Sequence, residues 1–425
     1  MKPLPELEFL FSLTDFGIKL GLDKTRNLLE KFGNPHLKYP SVLIAGTNGK
    51  GSVAKTLANI LTSAGYRTGL YTSPHLVRIG ERIVYNGKEI SEKGLALKIR
   101  DLQKIIGVQP YHLYPTFFEA LTTIAFSFFA EAGAEIVVCE VGMGGRFDST
   151  NVLPSRLEII TRIGLEHTQF LGKTYEEIAS EKAGIIKQGS TVISSSQQSG
   201  AMKVIRSRAR EKKARLYTCG KDFYVRGRSS AADGQTFDFR AGKTEHLSLK
   251  TPLLGRHQIE NMALAVRAAM ALEEHGFRIN KEDLYKGAET VFWPCRFQIL
   301  QKKPVIIIDG AHNPDGMKTL SCTLAEIFPR KKFCFLTGIL KDKDWRQMLN
   351  ILLLKKNVDE IVFTRPDNER ALDPALLADF AKKKTEKVKI IQSSAEALKY
   401  LKETGKDWCI CGSLYLCGDI LGIWK

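Results

Sequence analysis

The chain has 425 residues, 44% hydrophobic and 26% charged, enough for two or three soluble domains with sizeable cores and unlike a disordered or fibrous protein. No apolar run is long enough to span a bilayer, and the early Glu6 and Glu8 leave no secretory signal pattern, so no membrane partner and a cytoplasmic location are expected. The formal net charge of +17 raises nucleic-acid binding, but the two basic stretches, 203–215 and 382–389, lie among helix-like patterns without interleaved aromatics, so a solvated surface that steers anionic substrates is the expectation.

In chain order, the apolar run 42–45 reads as a buried strand. It is followed by Gly46, Thr47, Asn48, Gly49, Lys50, Gly51 and Ser52. Val53, Leu57, Ile60 and Leu61 then share one helical face, and Gly65 ends that helix. A glycine-rich turn between strand and helix can wrap phosphates with inward-pointing N–H groups at the positive end of a helix. Lys50 can reach the outer phosphates and Ser52 can ligate Mg²⁺. The spacing departs from the common phosphate loop, because Gly51 separates Lys50 from Ser52. An ordinary strand–turn–helix is the bland alternative, but three glycines, a lysine and a serine all stand where phosphate chemistry needs them.

The segment 117–129 reads as a buried helix. The short β-branched runs 136–139 and 159–163 read as strands of a largely parallel sheet. Glu140 and then Gly142, Gly144 and Gly145 follow the first run, and Glu166 and His167 follow the second. A carboxylate and an imidazole just past parallel strands lie on the edge where α/β sheets bind ligands, although a lone His is more often structural. Thr174 and Glu177 match a capping box, opening a helix that should run through Glu181 and Lys182 and stop near Gly184. Residues 217–250 read as antiparallel strands on the flank of the sheet, and helical periodicity resumes over 258–275. Trp293-Pro294-Cys295-Arg296-Phe297 reads as a hinge. Beyond it, 305–308, 333–336, 361–364, 388–391 and 408–411 are strands of a second α/β domain, with Asp309 and His312 at its ligand edge. Two such domains suggest a site in the cleft between them. The eight cysteines form no CxxC pair, so reduced thiols are expected and metal binding near Cys409, Cys411 and Cys417 has little support.

Taken together, IAGTNGKGS, TSPHL, EVGMGGRFDSTN, EHTQFLG, EKAGIIK, HQIENMALA, WPCRF, DGAHNP, LKDKD and GSLYLCGD run in one order over nearly the whole chain. In them the chain resembles the bacterial folylpolyglutamate synthase/dihydrofolate synthase family of the Mur ligase superfamily. The resemblance implies an ATP-binding central domain over 1–295, built on a phosphate-loop sheet with a small antiparallel sheet, and a Rossmann-like glutamate ligase domain over 296–425. It implies ATP held by Gly46–Ser52 with Asn261, Arg296 and Asp309, and two Mg²⁺ ions held by Ser73, Glu140 and His167 with Ser52 near the phosphates. Lys182 would carry a CO₂-derived carbamate, an anion with two oxygens where an ammonium would be unfavourable beside two cations; read alone, it is a solvated helix lysine. Lys50, Lys182 and His312 would serve catalysis. Thr116, Phe117, Phe118, Glu119, Phe147, Asp148 and Ser149 would lie on the pterin side, where Phe117 and Phe118 otherwise read as core. His312 and Ser413 would meet the incoming glutamate. His75, Arg78 and Arg82 follow Ser73 in a loop that could face substrate or solvent. A monovalent cation is a further possible cofactor, and a monomer acting on small molecules is expected.

Three positions depart from the family pattern: Glu166 replaces an aspartate, Cys295 a glycine and Cys417 an apolar residue. If the hinge glycine serves a positive φ, Cys295 is strained there. The implied reaction is ATP-dependent joining of glutamate to the carboxylate of dihydropteroate or a tetrahydrofolate through an acyl phosphate. Peptidoglycan-precursor ligases of the same superfamily usually have a uridine-nucleotide domain ahead of the phosphate loop, and 45 residues are too few for one. A basic ATPase stimulated by nucleic acid is the rival from another class.

Overall fold

The computed structural model describes residues 4–17, 21–107, 114–354 and 358–424. Eight strands form the first sheet: β1 (Ser41–Ala45), β2 (Thr68–Tyr71), β3 (Ile83–Tyr85), β4 (Lys88–Glu89), β5 (Ile136–Glu140), β6 (Leu157–Ile160), β7 (Thr191–Ser194) and β8 (Arg215–Thr218). Their order is β4-β3-β2-β5-β1-β6-β7-β8. The run from β2 to β8 is parallel, and β3 and β4 extend one edge antiparallel. β1 is wholly buried and its alternate side chains feed two cores. Val42 and Ile44 pack with the helices Lys50–Ser63 and Arg256–Glu273, while Leu43 and Ala45 pack with the aromatic helix Phe117–Glu131. A strand buried on both faces must be apolar throughout, which is why 42–45 shows no alternation.

A three-stranded antiparallel sheet, β9 (Tyr224–Ala231), β10 (Gly234–Ala241) and β11 (Thr244–Thr251), lies against the first core through Phe237, Phe239 and Leu249. The second large sheet has β12 (Gln298–Lys302), β13 (Val305–Ile308), β14 (Phe333–Thr337), β15 (Val358–Arg365), β16 (Val388–Ser393) and β17 (Trp408–Cys411), in the order β12-β13-β17-β14-β15-β16. It is parallel except for the edge pair β12–β13. Its strands again alternate between two cores, with Ile307, Phe335 and Phe363 on one face and Ile308, Leu336 and Trp408 on the other. The mixed α/β class with a small antiparallel sheet and a second α/β domain is as expected.

Two local expectations are corrected, and one strand was not foreseen. The run 159–163 leaves the sheet after Ile160, because the Arg162 carbonyl turns to accept the amides of Thr47 (3.0 Å) and Asn48 (3.3 Å). The antiparallel region begins at Tyr224 rather than Tyr217, since Tyr217 lies in β8, paired parallel to β7. The basic stretch 382–389 joins the end of the helix Pro374–Lys382 to the start of β16, the strand expected at 388–391. β12 was not foreseen, since its sequence QILQK is half polar and only partly buried. No described helix is long and apolar enough to cross a membrane, and all eight cysteines are free thiols.

The capping box opens the helix Tyr175–Ala183 as expected. The Glu177 amide donates to Thr174 Oγ1 at 3.2 Å, and the Thr174 amide donates to Glu177 Oε2 at 3.0 Å. This helix carries Lys182. Thr174→Ala should lower stability by about 1 kcal/mol, measured by urea denaturation, and should loosen this helix first in hydrogen exchange.

Candidate active site

The phosphate loop is shaped by groups outside itself. The Thr47 and Asn48 amides point to the Arg162 carbonyl, so two of the N–H groups expected to face phosphate are already used. The donors left for an anion are the amides at the start of the helix Lys50–Ser63, which have no carbonyl within the helix to meet. Gly46 packs directly on the Thr161 side chain and Gly49 on the Asn261 amide, leaving no space for a Cβ at either. Gly49 also has φ 92°. Gln258 Nε2 donates to Ser52 Oγ at 3.3 Å and Asn261 Nδ2 to Gln258 Oε1 at 3.1 Å, so Asn261 reaches the loop both by packing and through Gln258. The Trp293 indole lies over Gly51.

Three strand ends bring the other polar groups to the same edge. Glu140, the last residue of β5, accepts the Ser73 amide at Oε2, 3.1 Å away. Its pKa is raised by burial, against the pull of the Lys50 charge. His167 has φ 52° and is pushed down to about 4 by burial, so near neutral pH its ring is uncharged, as a metal ligand must be. Gly46, Lys50, Glu166, His167 and Lys182 line one small cleft. Lys182 is 4% exposed. Its Nζ donates to the Gly46 carbonyl at 2.8 Å, and burial, with Lys50 nearby, lowers its pKa to about 7. It is not the solvated lysine of the bland reading.

No described group of three or more His, Cys, Asp or Glu side chains is assembled as a metal cage. The donors present suit Mg²⁺ nonetheless. That ion keeps most of its waters and uses one or two protein ligands, and the buried Glu140 carboxylate lies on the same sheet edge as Ser52, Ser73 and neutral His167.

The second sheet turns its own loop toward this edge. Asn313 Nδ2 donates to Asn48 Oδ1 at 3.0 Å, and Asn48 Nδ2 returns a longer contact of 3.4 Å to Asn313 Oδ1. His312 Nε2 lies 3.2 Å and Lys343 Nζ 2.9 Å from Glu166 Oε1. Asp309 gives both oxygens to backbone amides, of Phe297 at 2.7 Å and Ala311 at 2.9 Å. Arg296 touches Gly310, and its charge acts on both Asp309 and Glu140. Ser413 Oγ accepts the Tyr415 amide at 3.1 Å as N-cap of the last helix, Leu414–Ile423. The Gly412 amide ties the loop before it to Ala311.

The expected pterin-side residues divide. Thr116 and Glu119 cap each other at the start of the aromatic helix, and Asp148 holds its loop through the amides of Met143 and Thr150. Phe118 covers Gly142, and Ser149 is buried in the short helix that Asp148 caps. Phe117 stacks on Phe11 at 5.9 Å under the Arg82 guanidinium at 5.2 Å, and Phe147 is exposed. His75 receives Arg82 Nε at 2.8 Å, while Arg78 pairs with Glu89 on the surface.

The "Mur ligase middle domain" model matches residues 44–269 and the "Mur ligase, glutamate ligase domain" model residues 295–413. The chain belongs to the Mur ligase superfamily. A Bacillus subtilis dihydrofolate synthase/folylpolyglutamate synthase is 36% identical over 79% of each chain, placing this member in the dihydrofolate synthase/folylpolyglutamate synthase family. A crystal structure of Thermotoga maritima folylpolyglutamate synthase matches with a TM-score of 0.88 at 35% identity, covering 99% of this chain and 97% of that one. A Mycobacterium tuberculosis folylpolyglutamate synthase complexed with ADP and AMPPCP matches at 0.91 and 29% identity, covering 98% of each. In this Mur ligase the sequence left three contacts unread: Gln258 on Ser52, the Asn48–Asn313 amide pair, and Lys343 on Glu166. Lys343 stands in the LKDKD motif after β14, and that position beside a strand end was the available signal.

The Lys182 charge has a pH signature. Its folded pKa is depressed, so between about pH 7 and the ordinary lysine range the unfolded chain binds more protons than the folded one. The stability owed to this group therefore rises with pH across that window and is lowest below it. In CO₂-free buffer, Lys182→Met should be stabilised relative to wild type near pH 7. That advantage should shrink by on the order of 1 kcal/mol per pH unit toward pH 9, measured by urea denaturation at each pH.

Proposed function

We infer that this protein is an ATP-dependent ligase that joins L-glutamate to the carboxylate of a folate-type acceptor. The carrying observation is the convergence, in a member of this family, of Lys50, His167 and Lys182 on the phosphate-loop cleft, with His312 and Asn313 of the second α/β domain brought onto its rim. We place the boundary between ATP-binding and glutamate ligase domains at 295/296, within the hinge.

In this reading the γ-phosphoryl group of ATP passes to the acceptor carboxylate, giving an acyl phosphate and ADP. The glutamate amine then attacks the acyl carbon, forming the amide and expelling phosphate. No covalent protein nucleophile is needed. The free amides at the start of the helix Lys50–Ser63 and the Lys50 ammonium offset charge on the transferring group. Lys50 Nζ, 3.2 Å from the Thr47 carbonyl, needs only a side-chain rotation to do so. Two Mg²⁺ ions held by Ser52, Ser73, Glu140 and His167 would supply further positive charge at the phosphates. Arg296, within the hinge, and Asp309, which keeps the loop after β13 in shape, would meet the nucleotide. Phe117, Phe147 and Arg82 form the pterin side, and His312 with the Ser413 loop the glutamate side. Closing the second domain over the first excludes water from the acyl phosphate.

Dihydropteroate and tetrahydrofolate present similar carboxylates, and we propose that both are accepted. Purified protein given ATP, labelled glutamate and each acceptor in turn should yield glutamylated products whose length reports which activity dominates. If DNA or RNA stimulates phosphate release and neither pterin does, the reading is wrong. Lys50→Ala should lose activity in the same assay by about a hundredfold or more with an unchanged circular dichroism spectrum.

We further propose that Lys182 is carbamylated. Its buried amine, poised near neutrality, is the form that adds CO₂, and the product anion relieves the repulsion from Lys50. With isotopically labelled bicarbonate, a carbamate carbon should appear in the NMR spectrum of wild type and be missing from Lys182→Met.

A further inference from the structure

Glu166 bridges the two halves of the cleft. It projects from the loop after β6, while both its partners belong to the second sheet: His312 follows β13 and Lys343 follows β14. Both side chains approach the same oxygen, Oε1, and Glu166 and Lys343 are only 10% and 12% exposed. His312 Nδ1 also lies 2.7 Å from the Gly310 carbonyl, which fixes the ring so that Nε2 faces the first domain. A carboxylate of this chain thus occupies the nitrogens of His312 and Lys343 on the rim of the cleft, and Glu166 itself lines that cleft.

The incoming amino acid carries the same chemical group. Resting on the reading that His312 receives glutamate, we propose that Glu166 is a resident stand-in for a substrate carboxylate. It holds His312 and Lys343 in the free enzyme and yields them when glutamate enters. The Glu166 side chain reaches across the cleft to meet His312 Nε2 at 3.2 Å and Lys343 Nζ at 2.9 Å with one oxygen. Exchange of one carboxylate for another leaves the buried Lys343 side chain paired throughout, which avoids stranding it. It also links glutamate entry to the spacing of the domains, because the outgoing carboxylate belongs to one and His312 and Lys343 to the other. Glu166 is therefore a positioning residue that sets glutamate affinity, and Lys343 is a further receiver of the substrate carboxylate.

The test is steady-state ligation with varied glutamate for wild type, Glu166→Asp, Glu166→Ala and Lys343→Met, with thermal denaturation confirming that each variant folds. Freed of the resident carboxylate, Glu166→Asp and Glu166→Ala should lower KM for glutamate at least threefold, with KM for ATP within twofold of wild type, whatever happens to kcat. Free acetate should compete with glutamate more strongly in Glu166→Ala than in wild type, an effect that a merely structural role would not produce. Lys343→Met should raise KM for glutamate at least tenfold. A KM for glutamate that is unchanged or raised in both Glu166 variants would make the residue a support rather than a stand-in and would overturn the proposal. So would an unaltered KM in Lys343→Met. If wild type forms no glutamylated product with either acceptor, the functional reading itself falls and takes this inference with it.

Discussion

A buried lysine beside a second lysine is the constraint around which the cleft is organised. Lys182 lies beneath the phosphate loop with the Gly46 carbonyl as its hydrogen-bond partner, and the Lys50 charge opposes its own. An ammonium in that place is unfavourable unless anions arrive or the proton leaves. Nearby acids give partial relief, since Glu166 and Asp148 both favour the charged form. The balance leaves the amine able to change state near neutral pH, which a reactive lysine needs and a structural one does not. The same constraint fixes the loop: moving Gly46 would strand Lys182, and moving Lys182 would release Gly46.

The two sheets meet because each presents the carboxyl ends of its parallel strands, where loops are free to carry polar groups. In the first sheet those ends carry the phosphate loop, Ser73, Glu140 and His167; in the second they carry Asp309, His312, Lys343 and Ser413. Some polar residues at these ends hold the backbone of their own loops. Asp309 and Asp148 each accept backbone amides with both oxygens, which holds the loops in which His312 and Phe147 are displayed. Loop shape is thus set beside the residues on display, and replacing Asp309 would loosen the loop that carries His312.

Much of this was legible in the sequence where one physical cause dominated. The runs at 42–45, 136–139 and 408–411 announce themselves because a strand buried on both faces has to be apolar. Thr174 announces a helix because its partner Glu177 stands three residues on. Reading failed where tertiary contacts decide. Ile163 is as apolar as Ile159, yet only the destination of the Arg162 carbonyl ends the strand at Ile160. β12 pairs along a half-exposed edge, so its side chains carry no clear period. Lys182 on a helix reads as solvated until the loop that buries it is in place, and Lys343 is hidden in a run of charges whose contact lies across the cleft.

The hinge carries a strain that the rest of the fold tolerates. Cys295 has φ 56° and Phe297 φ 44°, conformations that a residue with a Cβ adopts at some cost. Cys295 is nonetheless completely buried, and its carbonyl accepts the Gly310 amide at 2.8 Å. Its thiol contacts that of Cys417, so two departures from the family pattern meet in space. Glycine at 295 would relieve the backbone but leave a gap beside Cys417, whereas cysteine fills the gap and retains the strain. Because Gly310 begins the loop that presents His312, this hydrogen bond ties that loop to the 293–297 segment, alongside the Phe297 and Ala311 amides that Asp309 accepts.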